Sequence, residues 1–288
     1  MSLSLRAVLP SASPMAALAA LPTCASPACP RPASLWQRWW ARNEGVWIHQ
    51  DWYCSLDCFQ AGLFRRLEQA ALAGPQSARR AHRLPLGLVL LSQGDITGEQ
   101  LRQALDRQRA AKRGRIGEWL VEMGVVTEAQ VTAALAAQQG CPLFPLPEPQ
   151  RLPERMYWPE PLVERYGAAP VFHDPVQSSL YVGFRERVDH GFLLSVEQML
   201  RCRTRPCILP PPAYRRQLEL RAFLGESESI VIHQPQSGLE MTRTITNYAE
   251  QVHAERCSIA RCGDRLWTRL ESFGGRHVDF LFRLPTMG

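Results

Sequence analysis

The chain has 288 residues, of which 45% are hydrophobic and 21% are charged, and its formal net charge is +6. This composition is typical of folded globular proteins and excludes a largely disordered chain, while the length allows two or three domains. No window approaches the roughly 18 to 20 apolar residues that a membrane helix needs, and no secretory signal is recognisable. A cytoplasmic protein is therefore predicted, and the modest basic excess permits an anionic partner without requiring one.

Composition divides the chain into parts. Residues 1–23 are rich in alanine, serine and proline and are predicted to be disordered. Residues 24–72 are rich in cysteine and tryptophan, residues 84–222 form a middle domain, and residues 226–288 form a tail. The predicted fold class is α+β multidomain, with a small zinc finger, a tandem helical repeat packed with a small α/β half, and a C-terminal α+β segment.

Two short cysteine pairs, Cys24-x4-Cys29 and Cys54-x3-Cys58, lie near the start of the predicted folded part. Pairs at this spacing are typical of zinc sites, and cytoplasmic thiols stay reduced, which favours a metal over disulfides. Four thiolates would close the coordination shell, so the predicted zinc is structural rather than catalytic. Unliganded thiols are the alternative, and His49 is an alternative ligand.

The predicted order of elements around these cysteines is typical of a treble-clef finger. A hairpin is predicted between the pairs around Asn43-Glu44-Gly45, and a helix follows at 55–72. The run YCSLDCF resembles small FCS-type zinc fingers. A tryptophan-rich finger favours a protein partner, while nearby arginines leave nucleic acid as a weaker alternative. These arginines are Arg65, Arg66, Arg79, Arg80 and Arg83.

Residues 85–108 and 115–138 are two copies of one sequence pattern, offset by 30 residues. Each copy predicts a short helix, a glycine that ends it (Gly94 or Gly124), and a second helix opened by a Thr-x-x-Gln capping box. An apolar stripe along each second helix ends in a glutamine. A helix pair repeated only for packing explains the leucines and the caps, but not this amide.

The repeat resembles the N-terminal domain of type II secretion and type IV pilus ATPases of the GspE, PilB and MshE kind. Their motif runs Arg-Leu-Gly-x-x-Leu-Val-x-x-Gly-x-Ile and continues with leucines and a glutamine on a second helix. The resemblance covers 84–146 and continues to 222, where LPERMYWPEPLVERYGAAPVF resembles the entry into the family's α/β half. It implies that the tandem motif binds cyclic di-GMP, as in the MshE type. The implied contact residues are Leu86, Gly87, Leu90, Leu101, Leu105 and Gln108 from the first copy, and Arg115, Ile116, Gly117, Glu118, Leu120, Val131, Leu135 and Gln138 from the second.

The residue types at these positions suit a cyclic dinucleotide. An arginine can stack on guanine and donate charge-assisted bonds to phosphate, aliphatic groups pack on base and ribose, and an amide can bond the guanine edge. The first copy departs from the motif, since Pro85 stands where an arginine is expected, with Arg83 as a nearby substitute. Glu186-Arg187 stands where the family has Asp-Pro. These departures leave open a second interpretation, a protein-interaction scaffold whose nucleotide site has decayed.

A proline-rich connector leads into the mixed half of the middle domain. The elements predicted from there to the end of the chain are a strand at 180–184, a helix at 191–201, a strand at 206–209, a helix at 212–223, a strand at 229–233, a helix at 241–252, a hairpin pairing 257–261 with 266–270, and a strand at 278–284. Cys202 with Cys207, and Cys257 with Cys262, repeat a ligand-like spacing. Because each pair lies in or beside a predicted strand, buried structural thiols are the favoured interpretation. Cys141 receives no role.

The sequence contains no Gly-x4-Gly-Lys-Ser/Thr phosphate loop, no Gly-x-Ser-x-Gly and no His-Glu-x-x-His. We therefore expect a non-catalytic regulatory or adaptor protein. Its predicted ligands are structural zinc and cyclic di-GMP, and its predicted partners are secretion or pilus assembly proteins. The scaffold with a decayed site is the alternative, and nucleic-acid binding through the finger is the weakest of the three hypotheses.

Overall fold

The computed structural model describes residues 22–30, 45–73, 83–144, 150–222 and 228–285. The predicted disordered stretch at 1–23 lies almost entirely outside these residues. So do Trp39, Trp40 and most of the turn predicted at Asn43-Glu44-Gly45.

The described chain is a mixture of helices and strands, which confirms the predicted α+β class. In chain order the elements are β1 (Val46–Ile48), β2 (Asp51–Tyr53), α1 (Leu56–Leu72), α2 (Leu86–Gln93), α3 (Gly98–Ala111), α4 (Ile116–Glu122), α5 (Glu128–Gln139), a 3-10 turn (Glu154–Met156), α6 (Glu160–Tyr166), β3 (Ala168–Asp174), β4 (Ser179–Phe184), α7 (His190–Leu200), β5 (Arg203–Ile208), α8 (Pro211–Ala222), β6 (Glu228–Pro235), α9 (Gly238–Gln251), β7 (Ala254–Cys262), β8 (Arg265–Ser272) and β9 (His277–Arg283). None of the described helices combines the length and the apolar character that a membrane crossing requires.

A six-stranded sheet with the order β2-β1-β7-β8-β9-β6 joins the two ends of the chain. Strands β7, β8 and β9 pair antiparallel, and Cys257 faces Leu270 in the register that the sequence predicted for the hairpin. Strand β1 pairs in parallel with β7. The segments at 24–72 and 226–288, which were predicted as separate units, therefore share one sheet.

Both faces of this sheet are buried, because successive residues along its central strands, and not only alternate ones, are buried. On one face Phe280 and Phe282 belong to a core that includes side chains of α1 and α9. On the other face Trp267 and Leu281 pack into a second core with Phe192 of α7. The sheet thus lies between the two terminal helices and the middle domain.

The middle domain contains a three-stranded sheet with the order β3-β4-β5. Strand β4 pairs antiparallel with β3 and in parallel with β5. The strands predicted at 180–184 and 206–209 and the helices predicted at 191–201 and 212–223 are confirmed to within a few residues. Helix α6 and strand β3 were not predicted. Both follow the proline-rich connector and contribute apolar residues to the cores that position the repeat.

A buried arginine, paired with an aspartate of the neighbouring strand, joins the six-stranded sheet to the middle domain. Arg269 is 0% exposed and Asp279 is 1% exposed. The guanidinium donates two hydrogen bonds of 2.8 Å to the carboxylate, and two further bonds of 2.6 Å to the carbonyls of Arg155 and Tyr157. Trp267 Nε1 donates to the same carboxylate at 2.7 Å. Because so many polar atoms are paired, this burial of charge is compensated.

Candidate functional site

Each copy of the repeat begins and ends its helices with the predicted signals. In α3 the Gln100 N–H donates to Thr97 Oγ1 at 3.2 Å, while the Thr97 N–H donates to Gln100 Oε1 at 2.8 Å, and α5 has the same reciprocal pair. Gly94 ends α2 with a left-handed φ of 78°, and Gly124, after α4, has a φ of 67°. These capping bonds satisfy helix-terminal N–H groups and fix where each second helix starts.

The two copies interlock around one small core. Helix α2 packs against α5, and α3 packs against α4, so that the first helix of each copy lies on the second helix of the other. Core residues occupy equivalent positions in the two copies, and the buried pairs are Leu90 with Leu120, Ile96 with Val126, and Ala104 with Ala134. The repeat is therefore one pseudosymmetric unit rather than two independent helix pairs.

The terminal glutamines make the same contact from opposite sides. Gln108 Nε2 donates to the carbonyl of Gly114 at 2.9 Å, and Gln138 Nε2 donates to the carbonyl of Leu84 at 2.6 Å. Gly114 and Leu84 are themselves equivalent, since each precedes the first motif residue of its copy. The side-chain nitrogen of each glutamine thus bonds to the segment that precedes the first helix of the other copy.

Two motif glycines allow the helices to approach closely. A Cβ added at Gly87 would lie 2.5 Å from a methyl group of Leu101. At Gly117 it would lie 3.0 Å from a methyl group of Val131 and 3.3 Å from one of Leu86. The second contact brings residues of both copies together and leaves little room for a side chain.

Most of the aliphatic residues implied as ligand contacts are half-buried, and two belong to the core. The half-buried ones are Leu86, Leu101, Leu105, Ile116, Val131 and Leu135. Leu90 and Leu120 are instead 0% exposed and belong to the shared core of the repeat. Those two leucines therefore support the site from beneath, whereas the half-buried set leaves apolar surface along α3 and α5.

Arg115 reaches from the repeat toward the α/β half of the middle domain. Its guanidinium pairs with the carboxylate of Glu186, which also accepts from Arg185 Nε at 3.2 Å. The Arg115 backbone N–H donates to the carboxylate of Glu118 at 2.9 Å, which places Glu118 as a cap of α4. The pairing of Arg115 with Glu186 was not predicted, although the carboxylate follows a predicted strand closely in sequence.

The first copy has a different arrangement at the equivalent position. Pro85 precedes α2, and its carbonyl accepts from the Leu88 N–H at 2.9 Å. The guanidinium of Arg83 donates to the side-chain oxygen of Gln139, which also accepts from the Val188 N–H at 3.1 Å. Arg83 is therefore engaged with the junction to the middle domain.

The four predicted metal ligands meet at one place. The Sγ atoms of Cys24, Cys29, Cys54 and Cys58 all lie within 4.8 Å of one another, and those of Cys29 and Cys54 are 3.5 Å apart. In a tetrahedron with zinc–sulfur bonds of about 2.3 Å, sulfur atoms are about 3.8 Å apart. The donor set and its spacing therefore fit a four-thiolate zinc site.

Local structure explains how the thiols converge. The backbone at Cys24 forms an isolated parallel β-bridge with Trp52 of β2, and the Ala25 N–H donates to the Trp52 carbonyl at 2.8 Å. The Cys58 N–H donates to Ser55 Oγ at 3.3 Å, so Cys58 lies in the first turn of α1, where the helix dipole favours a thiolate. Burial and the neighbouring thiols raise the pKa of Cys54 to about 12. Negative charge at this cluster is therefore unfavourable unless a cation shares it.

His49 has a different role from the one offered as an alternative ligand. Among the described residues the metal-type cluster consists of the four cysteines. His49 Nε2 instead accepts a hydrogen bond of 3.2 Å from the Ile259 backbone N–H, and the backbone N–H of His49 donates to the Cys257 carbonyl at 3.1 Å. The described hairpin turns at His49 and Gln50, after the predicted position, since Ile48 of β1 pairs with Asp51 of β2.

The remaining predicted cysteine pairs are buried, which confirms the structural interpretation of their place in or beside strands. Burial raises the pKa of Cys202 to about 11 and those of Cys207 and Cys262 to about 12. Cys257, at the centre of β7, also has a raised pKa for the same reason. Protonated, apolar thiols of this kind behave as small hydrophobic core residues.

Solved structures are similar to about half of this chain. No protein-family model matches the chain, and no curated protein sequence matches it. Among solved structures, a structure of MshE with cdg is similar over 49% of this chain and 99% of that one, with 22% identity and a TM-score of 0.39. The N-terminal domain of XpsE is similar over 47% of this chain and 92% of that one, with 14% identity and a TM-score of 0.34. MshE is one of the proteins that the repeat motif resembles in sequence.

Proposed function

We propose that this chain is a non-catalytic regulatory protein that binds cyclic di-GMP on its tandem repeat. The supporting observation is a pair of equivalent hydrogen bonds. Gln108 of the first copy donates to the carbonyl before the second copy, and Gln138 of the second copy donates to the carbonyl before the first. Cyclic di-GMP consists of two identical nucleotide halves, so a pseudosymmetric repeat offers each half an equivalent amide and equivalent aliphatic side chains, although Arg115 has Pro85 as its counterpart. The half-buried aliphatic side chains beside the amides supply apolar surface for base and ribose.

Binding at the second copy requires Arg115 to leave Glu186 or to share it. The pair is partly exposed, with side-chain exposures of 57% and 33%, so it is worth little on its own. A phosphate would therefore compete for the guanidinium on favourable terms. In this proposal the carboxylate of Glu186 competes with the ligand phosphate for Arg115. Ligand binding would therefore weaken the contact between the repeat and the α/β half of the middle domain.

Calorimetry with cyclic di-GMP on the full chain tests this proposal. Arg115→Ala should weaken binding by roughly tenfold to a hundredfold, the scale of one hydrogen bond to a charged group. Glu186→Gln should strengthen binding by removing the competitor, and Pro85→Arg should strengthen it by restoring the motif. Arg113→Ala, two residues from Arg115 on the same exposed segment, is the matched control and should bind as the parent does.

A protein-interaction scaffold is the second candidate, and specific observations favour it. Pro85 supplies no donor, and both motif glutamines already donate to backbone carbonyls. Calorimetric silence of the parent chain and of both Pro85→Arg and Glu186→Gln at high micromolar cyclic di-GMP would support the scaffold and contradict the sensor.

We also propose that Cys24, Cys29, Cys54 and Cys58 hold one structural zinc ion. Bound zinc would replace the thiol protons and tie the residues before β1 to the start of α1. Metal analysis should find about one zinc per chain, and Cys54→Ser should lose it. Cys141→Ser is the matched control and should retain the metal. A metal-free sample with an unchanged melting temperature would contradict the zinc proposal.

The proposed protein partner is a component of type II secretion or type IV pilus assembly. Helix α2 presents Leu88 and Leu91 at 44% and 37% exposure, and Leu84 just before it is 64% exposed. Leucines exposed together on one helix are a suitable docking surface. Leu88→Glu should abolish co-purification with such a component, whereas Leu218→Glu on α8 should not. Equal co-purification of both variants would contradict this assignment.

A further inference from the structure

A cavity of about 380 Å³ lies between the six-stranded sheet and the middle domain, away from the repeat and from the cysteine cluster. Its walls come from β7 and β8 on one side and from the 3-10 turn and the junction of α7 and β5 on the other. Cavities of this size accommodate small organic ligands. The cavity exists only because the tail of the chain packs on the middle domain.

Positive charge dominates the lining. Arg155, Arg201 and Arg256 reach the cavity from three separate segments, while Glu271 is the carboxylate on the wall. Arg256 Nε lies 3.7 Å from a Glu271 carboxylate oxygen, so one of the three guanidinium charges is largely balanced. The remaining excess favours an anion, and guanidinium groups recognise phosphate and carboxylate with paired hydrogen bonds.

A different structural element positions each of the three arginines in the cavity wall. Arg201 caps α7 and donates through one nitrogen to the carbonyl of His49. Arg256 is positioned on β7 by its cross-strand neighbour Glu271. Arg155 is exposed, and its carbonyl accepts from the buried Arg269 at 2.6 Å, which fixes its backbone. Guanidinium groups on fixed backbones bind an anion with less loss of conformational freedom.

The rest of the lining has a different character. Met156 and Met199 are buried at 6% and 2% exposure, and both contribute to the wall of the cavity. Methionine side chains adapt to flat rings and make favourable sulfur–aromatic contacts. Ser258, at 1% exposure, adds a hydroxyl on the same face of β7 as Arg256. The cavity therefore pairs an anion-binding rim with an apolar wall.

We propose that this cavity binds a small phosphate monoester that carries an aromatic or apolar body. The phosphate would contact Arg155, Arg201 and Arg256, and the body would pack against Met156 and Met199. This site is distinct from the proposed cyclic di-GMP site, because it shares no residue with the repeat.

Calorimetry on the full chain with adenosine monophosphate and with inorganic phosphate as probes tests the proposal. We expect saturable binding of adenosine monophosphate, roughly tenfold or more tighter than phosphate, because only the ester reaches the apolar wall. Arg155→Gln and Arg256→Gln should each weaken it by roughly tenfold or more. Arg151→Gln is the matched control, since Arg151 is exposed, close in sequence to Arg155 and outside the cavity.

Each contrary result has a defined meaning. Absence of saturable heat with adenosine monophosphate, or equal affinity for both probes, would overturn the proposed ligand class. Binding that survives Arg155→Gln but disappears in Arg115→Ala would place the ligand on the repeat and overturn the proposed site. Because Arg155 is exposed, its substitution should leave the melting temperature unchanged, which separates loss of binding from loss of fold.

Discussion

The tandem repeat and the six-stranded sheet are built by opposite rules. In the repeat, both helix starts and the buried pairs of Leu90 with Leu120, Ile96 with Val126 and Ala104 with Ala134 recur 30 residues later, and the capping bonds join residues three apart. In the sheet, β1 pairs with β7 across about two hundred residues, as in the parallel partners Ile48 and Cys257. Local rules therefore specify the helices of the first region, whereas the pairing of β1 with β7 depends on a contact that only the folded chain brings together.

The two regions also use polar groups differently. The repeat places its amides at half-buried positions, where each donates to a backbone carbonyl at the entry of the other copy. The sheet encloses Arg269 and Asp279 completely and satisfies them internally. The first arrangement is suited to ligand exchange, and the second to permanent attachment of the tail to the middle domain.

The largest predicted effect tests that attachment. Asp279→Ala should lower the free energy of unfolding by about 3 to 5 kcal/mol, because it leaves the Arg269 charge buried without its partner. Denaturant titration measures the change. Asp106→Ala, which breaks the exposed pair with Arg109 on α3, should change stability by less than about 1 kcal/mol. Equal effects of the two substitutions would mean that the buried pair does not clamp the sheet.

A second prediction tests the symmetry of the repeat. Leu90→Ala and Leu120→Ala should each cost about 2 to 5 kcal/mol, because both side chains are completely buried at equivalent positions of one core. Denaturant titration should give similar values for the two variants. The exposed Leu88 is the control, and its replacement by alanine should cost much less. A large difference between the equivalent leucines would show that the copies contribute unequally to the core.

Sequence reasoning succeeded where structure follows from local chemistry. The Thr97 and Thr127 capping boxes, the glycine at the end of α2 and the β7–β8 register were all predicted from a few neighbouring residues. The convergence of the four cysteines followed from ligand spacing. The pairing of β1 with β7 and the position of the hairpin turn at His49 were not predicted, because three-residue strands carry too little pattern to identify a distant partner.

The candidate sites divide in the same way. The repeat pattern predicted which residues would share a helix face. It did not predict that Arg115 would pair with Glu186 of the α/β half. The basic cavity was not predicted, since Arg155, Arg201 and Arg256 have no common motif. A site assembled from separate segments becomes visible only after the sheet and the middle domain are packed together.

A third, smaller prediction separates structure from ligand binding at the amides. Gln108→Ala and Gln138→Ala should each cost about 0.5 to 1.5 kcal/mol of unfolding free energy, the net value of one hydrogen bond. Thermal or denaturant unfolding without ligand measures this cost. Gln103→Ala on the exposed face of α3 is the control. An unchanged free energy of unfolding in both variants would mean that these two hydrogen bonds do not stabilise the fold. Ligand binding would then be the remaining role for the two glutamines.

The smallest effect concerns how the β1–β2 hairpin is attached to β7. Burial, and secondarily Arg66, hold the pKa of His49 below its usual 6.5, and its Nε2 must stay unprotonated to accept from the Ile259 N–H. The unfolded chain therefore takes up a proton on this histidine at a higher pH than the folded chain does. The stabilising contribution of the neutral ring is complete above about pH 6.5 and is lost progressively as the pH falls below it.

His49→Asn removes the titrating group and is tolerated by the left-handed backbone at this position, where φ is 54°. Its unfolding free energy should change less between pH 7.5 and pH 5 than that of the parent chain. A residual slope is expected, because burial also lowers the pKa of His277. The measurement is a series of denaturant titrations across this pH range. Identical slopes for parent and variant would show that the hairpin is held to β7 by the strand pairing alone, which would extend the rule of long-range backbone contacts to this part of the sheet.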